Sequence, residues 1–131
     1  MSLDNSNIRV GINTNSPGYT LDVNGTAHCT SGAWSSDARL KENIRPIEKP
    51  LEKILALNGV IFEWNNSDPE INVDSKTHMG FIAQDVESVI PDVVWSDSKY
   101  KSVAYTEIIP MLVEAIKELK DEVDKLKGIN K

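Results

Sequence analysis

A single cysteine, Cys29, has no partner in the chain, so an internal disulfide framework is excluded. Aromatic residues are scarce, at 6% against 40% hydrophobic residues overall, so a core must be packed mainly from aliphatic side chains. No apolar run approaches the roughly 18 residues of a membrane-spanning helix, and no secretory signal pattern stands at the start. Positive charge is in deficit, with 14 Lys and Arg against 20 Asp and Glu. A phosphate-tracking surface needs clustered Lys and Arg. Neither nucleic acid nor a membrane is therefore expected as a partner. His28 beside Cys29 does not suggest a metal site, because strand neighbours face opposite ways and no third ligand lies at useful spacing. Gly11 and Gly25 lie in no phosphate-cradling motif, and no cofactor is expected.

The 131 residues fit one modest domain, or a small domain with an extended segment. Met1-Ser2-Leu3 reads as a cloning remnant, and the abrupt start in patterned sequence as the mark of a fragment. Residues 4–30 read as β-structure broken by turns. Ile8, Val10 and Ile12 alternate with Arg9 and Gly11, Asn15-Ser16-Pro17-Gly18 is a turn, and Leu21 and Val23 resume the alternation before the hairpin-type dipeptide Asn24-Gly25. Strands this short need other layers or other chains to cover them. The segment is either a small meander or part of a fibre stalk in which three chains share a core.

Residues 37–105 read as a globular body. Leu51, Ile54 and Leu55 predict a short helix stopped by Asn58-Gly59, and Val60, Phe62 and Trp64 predict a strand. Residues 65–77 form a polar loop, with His78 in that loop or at a strand edge. Met79-Gly80-Phe81-Ile82 predicts a buried strand. Ala83, Val86 and Ile90 then predict a helix ending at Pro91. Val93-Val94-Trp95 and residues 100–104 pair as a hairpin around Ser96-Asp97-Ser98-Lys99. Phe62, Trp64, Phe81 and Trp95 are assigned to the core. The predicted class is α+β, a small, mostly antiparallel body with a long C-terminal helix.

That helix has the clearest period. Ile109, Leu112, Ile116, Leu119, Val123 and Leu126 are spaced 3, 4, 3, 4, 3, a heptad seam with β-branched residues at a and Leu at d. Glu122 at g and Lys127 at e complement each other between parallel chains. Thr106 is the expected N-cap, Pro110 lies near the start, and Gly128 ends the helix. An amphipathic helix packed on its own domain is the alternative, but a two-in-seven stripe is narrower than such helices usually carry. By itself this a/d pattern favours two strands.

Ser36-Asp37-Ala38-Arg39-Leu40-Lys41 places a serine five residues before a lysine. A neutral lysine can take a serine proton when burial lowers its pKa. On a regular helix the two would point about 140° apart, so they meet only if Ser36 precedes a turn that carries Lys41. The spacing alone equally suits Ser36 as an N-cap and Lys41 as a surface charge, and Ser96 and Lys101 share it.

The string Ser36-Asp37-Ala38-Arg39-Leu40-Lys41 with Asn43-Ile44 resembles the signature of the peptidase S74 family, the intramolecular chaperone domain of phage endosialidases, neck appendages and other tail fibres. Further blocks match in order: Phe62-Glu63-Trp64, Gly80-Phe81-Ile82-Ala83-Gln84-Asp85-Val86, and Val103-Ala104-Tyr105 leading to Leu112-Val113-Glu114-Ala115-Ile116. Residues 10–25 resemble fibre modules that precede this domain. Myelin regulatory factors share the signature, but their DNA-binding and membrane segments are absent from these residues.

The resemblance implies a homotrimer whose partners are its own copies and the upstream fibre of the same chain. Residues 1–35 would be the end of a β-rich stalk, 36–105 the chaperone and autoprotease body, and 106–131 the coiled coil. Ser36 would be the nucleophile and Lys41 the base, with Asp37 and Arg39 bracing the loop and Gln84 a candidate oxyanion donor. Ser36 reaches the preceding carbonyl through a five-membered ring and its own only through a four-membered one, so within one chain the cut falls at Ser35–Ser36. Trp34, just before it, would either dock the loop or simply pack. The precursor would assemble in the host cytoplasm, and the released domain would be absent from the mature virion fibre. A trimeric cap would hold slow, interchain β-pairing in register, and its removal would trap the product kinetically. The competing expectation is a trimerisation knob that never cleaves.

Overall fold

Short strands open the chain. The computed structural model describes residues 1–4, 8–69, 71, 73–96 and 98–128. Internal contacts divide it into two units, residues 1–42 with 62–78, and residues 43–61 with 79–131.

In the first unit, β1 (Ser2–Asp4), β2 (Arg9–Ile12) and β3 (Leu21–Val23) form one sheet. β1 and β2 are antiparallel with Leu3 opposite Val10, whereas β2 and β3 are parallel with Val10 opposite Leu21. The link between β2 and β3 is tied down by polar bonds. Arg9 Nη1 donates to the Pro17 carbonyl at 2.9 Å, and the Gly18 N–H donates to Asp22 Oδ2 at 2.8 Å. Two expectations change here. Asn24-Gly25 closes no hairpin, because the pair before it is parallel; Asn24 N–H instead extends the ladder to the Ile12 carbonyl at 2.9 Å. Ile8 is an exposed left-handed residue at φ 53°, outside β2, while Gly11 is buried and Ile12 exposed. Strands of three or four residues leave alternation with no core to face. Residues 5–7 lie outside the described residues.

The second unit holds the packed core. α1 (Pro50–Ala56) starts at a proline, which needs no N–H at that place. The Leu51 N–H donates to the Glu118 carboxylate at 3.2 Å, so a side chain 67 residues away satisfies a helix-start donor. Leu51 is buried, but Leu55, expected on the same face, is exposed. β4 (Val60–Glu63) and β5 (Thr77–Gly80) pair in a two-stranded sheet. Val60 and Phe62 are half-buried while Ile61 and Glu63 are exposed, the expected alternation. β5 begins before the apolar run, ends at Gly80 and leaves Met79 84% exposed, so the buried strand over 79–82 is not formed.

α2 (Ala83–Val89) gives way to a 3-10 turn at Pro91–Val93, as expected of a proline that cannot continue a helix. β6 (Val94–Trp95) and β7 (Ser102–Val103) are antiparallel with Val94 opposite Val103; Asp97 between them lies outside the described residues. α3 (Tyr105–Lys127) starts one residue before Thr106, and its N-cap, Ala104, offers no side-chain bond. Gly128 ends it at φ 68°, its N–H directed to the carbonyls of Asp124 and Lys125.

Val86, Ile90, Val93, Ile108 and Met111 form the core, with Ile47, Ile54, Leu57, Phe81 and Val103 around it. It is aliphatic, as composition required. Trp64 and Trp95 are not core residues; each is half-exposed, Trp64 just past the end of β4 and Trp95 at the end of the two-residue β6. Among the described residues the class is α+β, with antiparallel β1–β2 and β6–β7 pairs, a parallel β2–β3 pair and three α-helices.

Candidate active site

Ser36 and Lys41 meet across a turn. Asp37 is extended (φ −62°, ψ 136°), Ala38–Leu40 make one 3-10 turn, and Lys41 is extended again (φ −123°, ψ 142°). The Leu40 N–H donates to the Asp37 carbonyl at 3.0 Å and the Lys41 N–H to the Ala38 carbonyl at 3.1 Å. The chain thus reverses, and the residues flanking the turn come side by side. Lys41 Nζ donates to Ser36 Oγ at 2.7 Å. The same contact, with Lys41 neutral, lets the hydroxyl donate to the amine, which is the direction general-base chemistry needs.

Asp37 fixes the turn through both of its oxygens. Oδ1 accepts from the Arg39 backbone N–H at 2.9 Å and from its Nε at 3.0 Å, and Oδ2 accepts from Nη2 at 2.8 Å. The Arg39 guanidinium, then the Arg39 N–H, hold the Asp37 carboxyl below its ordinary value, and Asp37 in return raises Arg39. The segment has no packing to hold it, since every residue from 25 to 42 is exposed. Trp34 is exposed with the rest, 82% open, so among the described residues nothing covers it.

The structure brings Ser36, Asp37, Arg39 and Lys41 together; Gln84 stands exposed in the first turn of α2, in the other unit. The second serine–lysine pair differs in one respect that spacing does not reveal. Lys101 Nζ donates to both oxygens of Glu87, at 2.6 and 2.5 Å, and Ser96 Oγ donates to Glu87 Oε1 at 3.5 Å. Lys101 is thus bonded to a carboxylate, whereas Lys41 bonds to a serine hydroxyl.

His78, on β5, stacks on Phe62 with 5.5 Å between ring centroids, and its Nε2 lies 2.8 Å from Asp74 Oδ1. The His78 ring, then the Lys76 N–H, hold the Asp74 carboxyl below its ordinary value. Glu87 and Glu118 carry their roles without any local sequence signal, because their partners lie 14 and 67 residues away.

α3 carries two apolar stripes one residue apart. Ile108, Met111 and Ala115 are buried in the second unit, while Ile109, Leu112, Ile116, Leu119 and Leu126 are exposed along the heptad seam. Val113 is also exposed and widens the outer stripe near its start. An apolar cleft of about 520 Å³, lined by Ile54, Leu57, Phe81, Tyr105, Ile109 and Leu112, opens beside it.

A small α+β body preceded by an exposed serine–lysine turn, with a long helix apolar on two sides, defines the class. Residues 36–95 match the peptidase S74 family, described as the chaperone of endosialidase, and the chain belongs to that family. The long tail fiber protein Gp37 of Enterobacteria phage K3 is 37% identical over 98 residues, covering 71% of this chain and 8% of that protein. The same protein of phage T2 is also 37% identical over 98 residues, with 7% of its length covered. The Myelin gene regulatory factor-like A protein of Dictyostelium discoideum is 28% identical over 142 aligned positions, 92% of this chain and 15% of that protein. The chain therefore spans less than a tenth of the two phage proteins.

Proposed function

We propose that this chain is the folding and assembly domain of a phage tail fibre, which trimerises through α3 and then releases itself by cutting Ser35–Ser36. The observation that carries the reading is the 2.7 Å contact between Lys41 Nζ and Ser36 Oγ, within the residues that match the chaperone of endosialidase. The step balances as follows. Lys41 takes the Ser36 hydroxyl proton as Oγ bonds to the Ser35 carbonyl carbon through a five-membered ring. The Ser35–Ser36 C–N bond breaks, and Lys41 returns the proton to the leaving amine. The Ser35 acyl group now rests as an ester on Ser36 Oγ. Water hydrolyses it, leaving a Ser35 carboxylate and a free Ser36 amino terminus.

Assembly is supported by the outer stripe of α3, whose large apolar residues have no cover in one chain. The inner stripe is already used by the body, so only the seam is left for other copies. Val113, beside Ile109 and Ile116, widens that exposed band. The fibre upstream would be the client, and the released domain would leave the virion-associated fibre behind. Intact mass after expression with a longer stalk tests the reading, a cut before Ser36 being the expected result.

A non-cleaving trimerisation knob is favoured by one observation, the full exposure of residues 25–42, since an amine base works best where water is excluded. Gel electrophoresis of the longer-stalk protein separates the two, a single uncut band supporting the knob.

A further inference from the structure

Two serine–lysine pairs with the same spacing stand in this chain, and their carboxylates are disposed in opposite ways. At Ser96 and Lys101, Glu87 grips the lysine at 2.5 Å and 2.6 Å. At Ser36 and Lys41, the neighbouring carboxylates are Asp37, next to the serine, and Glu42, next to the lysine. Both Asp37 oxygens are bound by Arg39, whereas Lys41 Nζ bonds to Ser36 Oγ.

We propose that Arg39 is a positioning residue for the self-cleavage, acting by sequestering the Asp37 carboxylate so that Lys41 answers to Ser36 alone. The inference rests on the self-cleavage reading and adds what distinguishes this pair from the one at Ser96 and Lys101. Arginine suits the task for two physical reasons. Its planar fork engages a carboxylate through parallel bonds, as Nε and Nη2 do here. It also stays charged across the range in which a lysine amine loses its proton, so the clamp persists while the base is being armed. Besides Lys41, the charged or titratable groups on residues 25–42 are His28, Cys29, Asp37, Arg39 and Glu42, and among the described residues no element packs over them, since residues 25–42 are all exposed.

The test uses the whole chain in an uncleavable Ser36→Ala background, with Lys41 followed by NMR of its labelled ε-carbon through a pH titration. Arg39→Gln frees Asp37, and the Lys41 midpoint should rise by roughly 0.3–0.7 pH unit, the size expected of an exposed ion pair. Adding Asp37→Asn should return it, because the amide oxygen can still accept the residue 39 N–H but carries no charge. An unmoved midpoint after Arg39→Gln, or a raised one that Asp37→Asn does not restore, overturns the proposal. Kinetics of the longer-stalk protein give a second reading. Arg39→Gln should slow cleavage roughly two- to fivefold below the midpoint and converge with the parent at high pH. Equal loss at every pH would mean mere bracing of the turn and would also overturn it. Cleavage by the Ser36→Ala protein would instead sink the self-cleavage reading, with the NMR comparison still deciding the role of Arg39.

Discussion

Ile108 and Ile109 are chain neighbours that face opposite surroundings, the first 4% and the second 57% exposed. One step along a helix turns about 100°, so a one-residue offset separates the stripe that holds the body together from the stripe left for other copies. Stability and the proposed assembly would therefore reside on different side chains of one helix.

That separation can be tested with two substitutions. Met111→Ala should lower the stability of the fold by about 2–5 kcal/mol, the range for truncating a buried Met. Ile116→Ala should change a dissociated chain by less than about 0.5 kcal/mol, yet weaken association. Ile116→Asp should disperse the assembly, since each copy would bury a charge in the seam. Light scattering gives the mass and denaturant melts the stability. A parent protein that is monomeric at micromolar concentration would end the trimer proposal.

Ser36→Ala and Lys41→Ala should each leave a longer-stalk chain uncut while the assembly still forms. Lys41→Arg should fail as well, because guanidinium keeps its proton at any usable pH. Cleavage of the parent should accelerate as pH rises, since only the neutral amine accepts the hydroxyl proton. Ser96→Ala should cut normally, because Lys101 is already committed to Glu87. Electrophoresis over a time course reads all of these, and normal cutting by Lys41→Ala would remove the dyad.

Deleting residues 36–131 from the full-length gene should yield insoluble or misassembled stalk, because interchain β-pairing is slow and its unpaired edges aggregate. Soluble trimers from the truncated gene would refute the chaperone role without touching the chemistry of Ser36.

Asp74 should make stability depend on acid. Its folded pKa lies below the ordinary 3.8 because His78 bonds the charged form. The stabilisation is therefore present above the unfolded value and is lost as pH falls through the lower, folded one. Asp74→Asn should have a lower denaturant midpoint than the parent at pH 6, with the difference closing near pH 2. A gap that persists unchanged into acid would show that the pair contributes nothing through its charge.

Helices were readable from the sequence because their period and stops are local. Pro91 ended α2, and the spacing of Ile109, Leu112 and Ile116 marked one face of α3. The same pattern concealed the second face, since Ile108, Met111 and Ala115 are apolar positions that the heptad assigns elsewhere and only packing reveals. Strands were less readable. A parallel β2–β3 pair and an uncovered Met79 follow from what lies beside a strand, which two-residue alternation does not encode. At the site, the residue types were visible, but their meeting depended on a 3-10 turn between two extended residues, and the bonding of Lys101 on a glutamate 14 residues distant.

The bareness of residues 25–42 bears on what a cut there can accomplish. A strand or helix severed at its middle loses buried surface, and the pieces loosen. A break in a segment with nothing buried around it leaves the local packing of both products as it was, so the folded form is scarcely changed in energy. What changes is connectivity. Before the break, a stalk that opens remains tethered to the body that guides it back; afterwards the two diffuse apart, and the high local concentration that aided folding is gone. If the proposed cut falls in this exposed chain, it would convert a reversible guide into a one-time event without weakening the object it built.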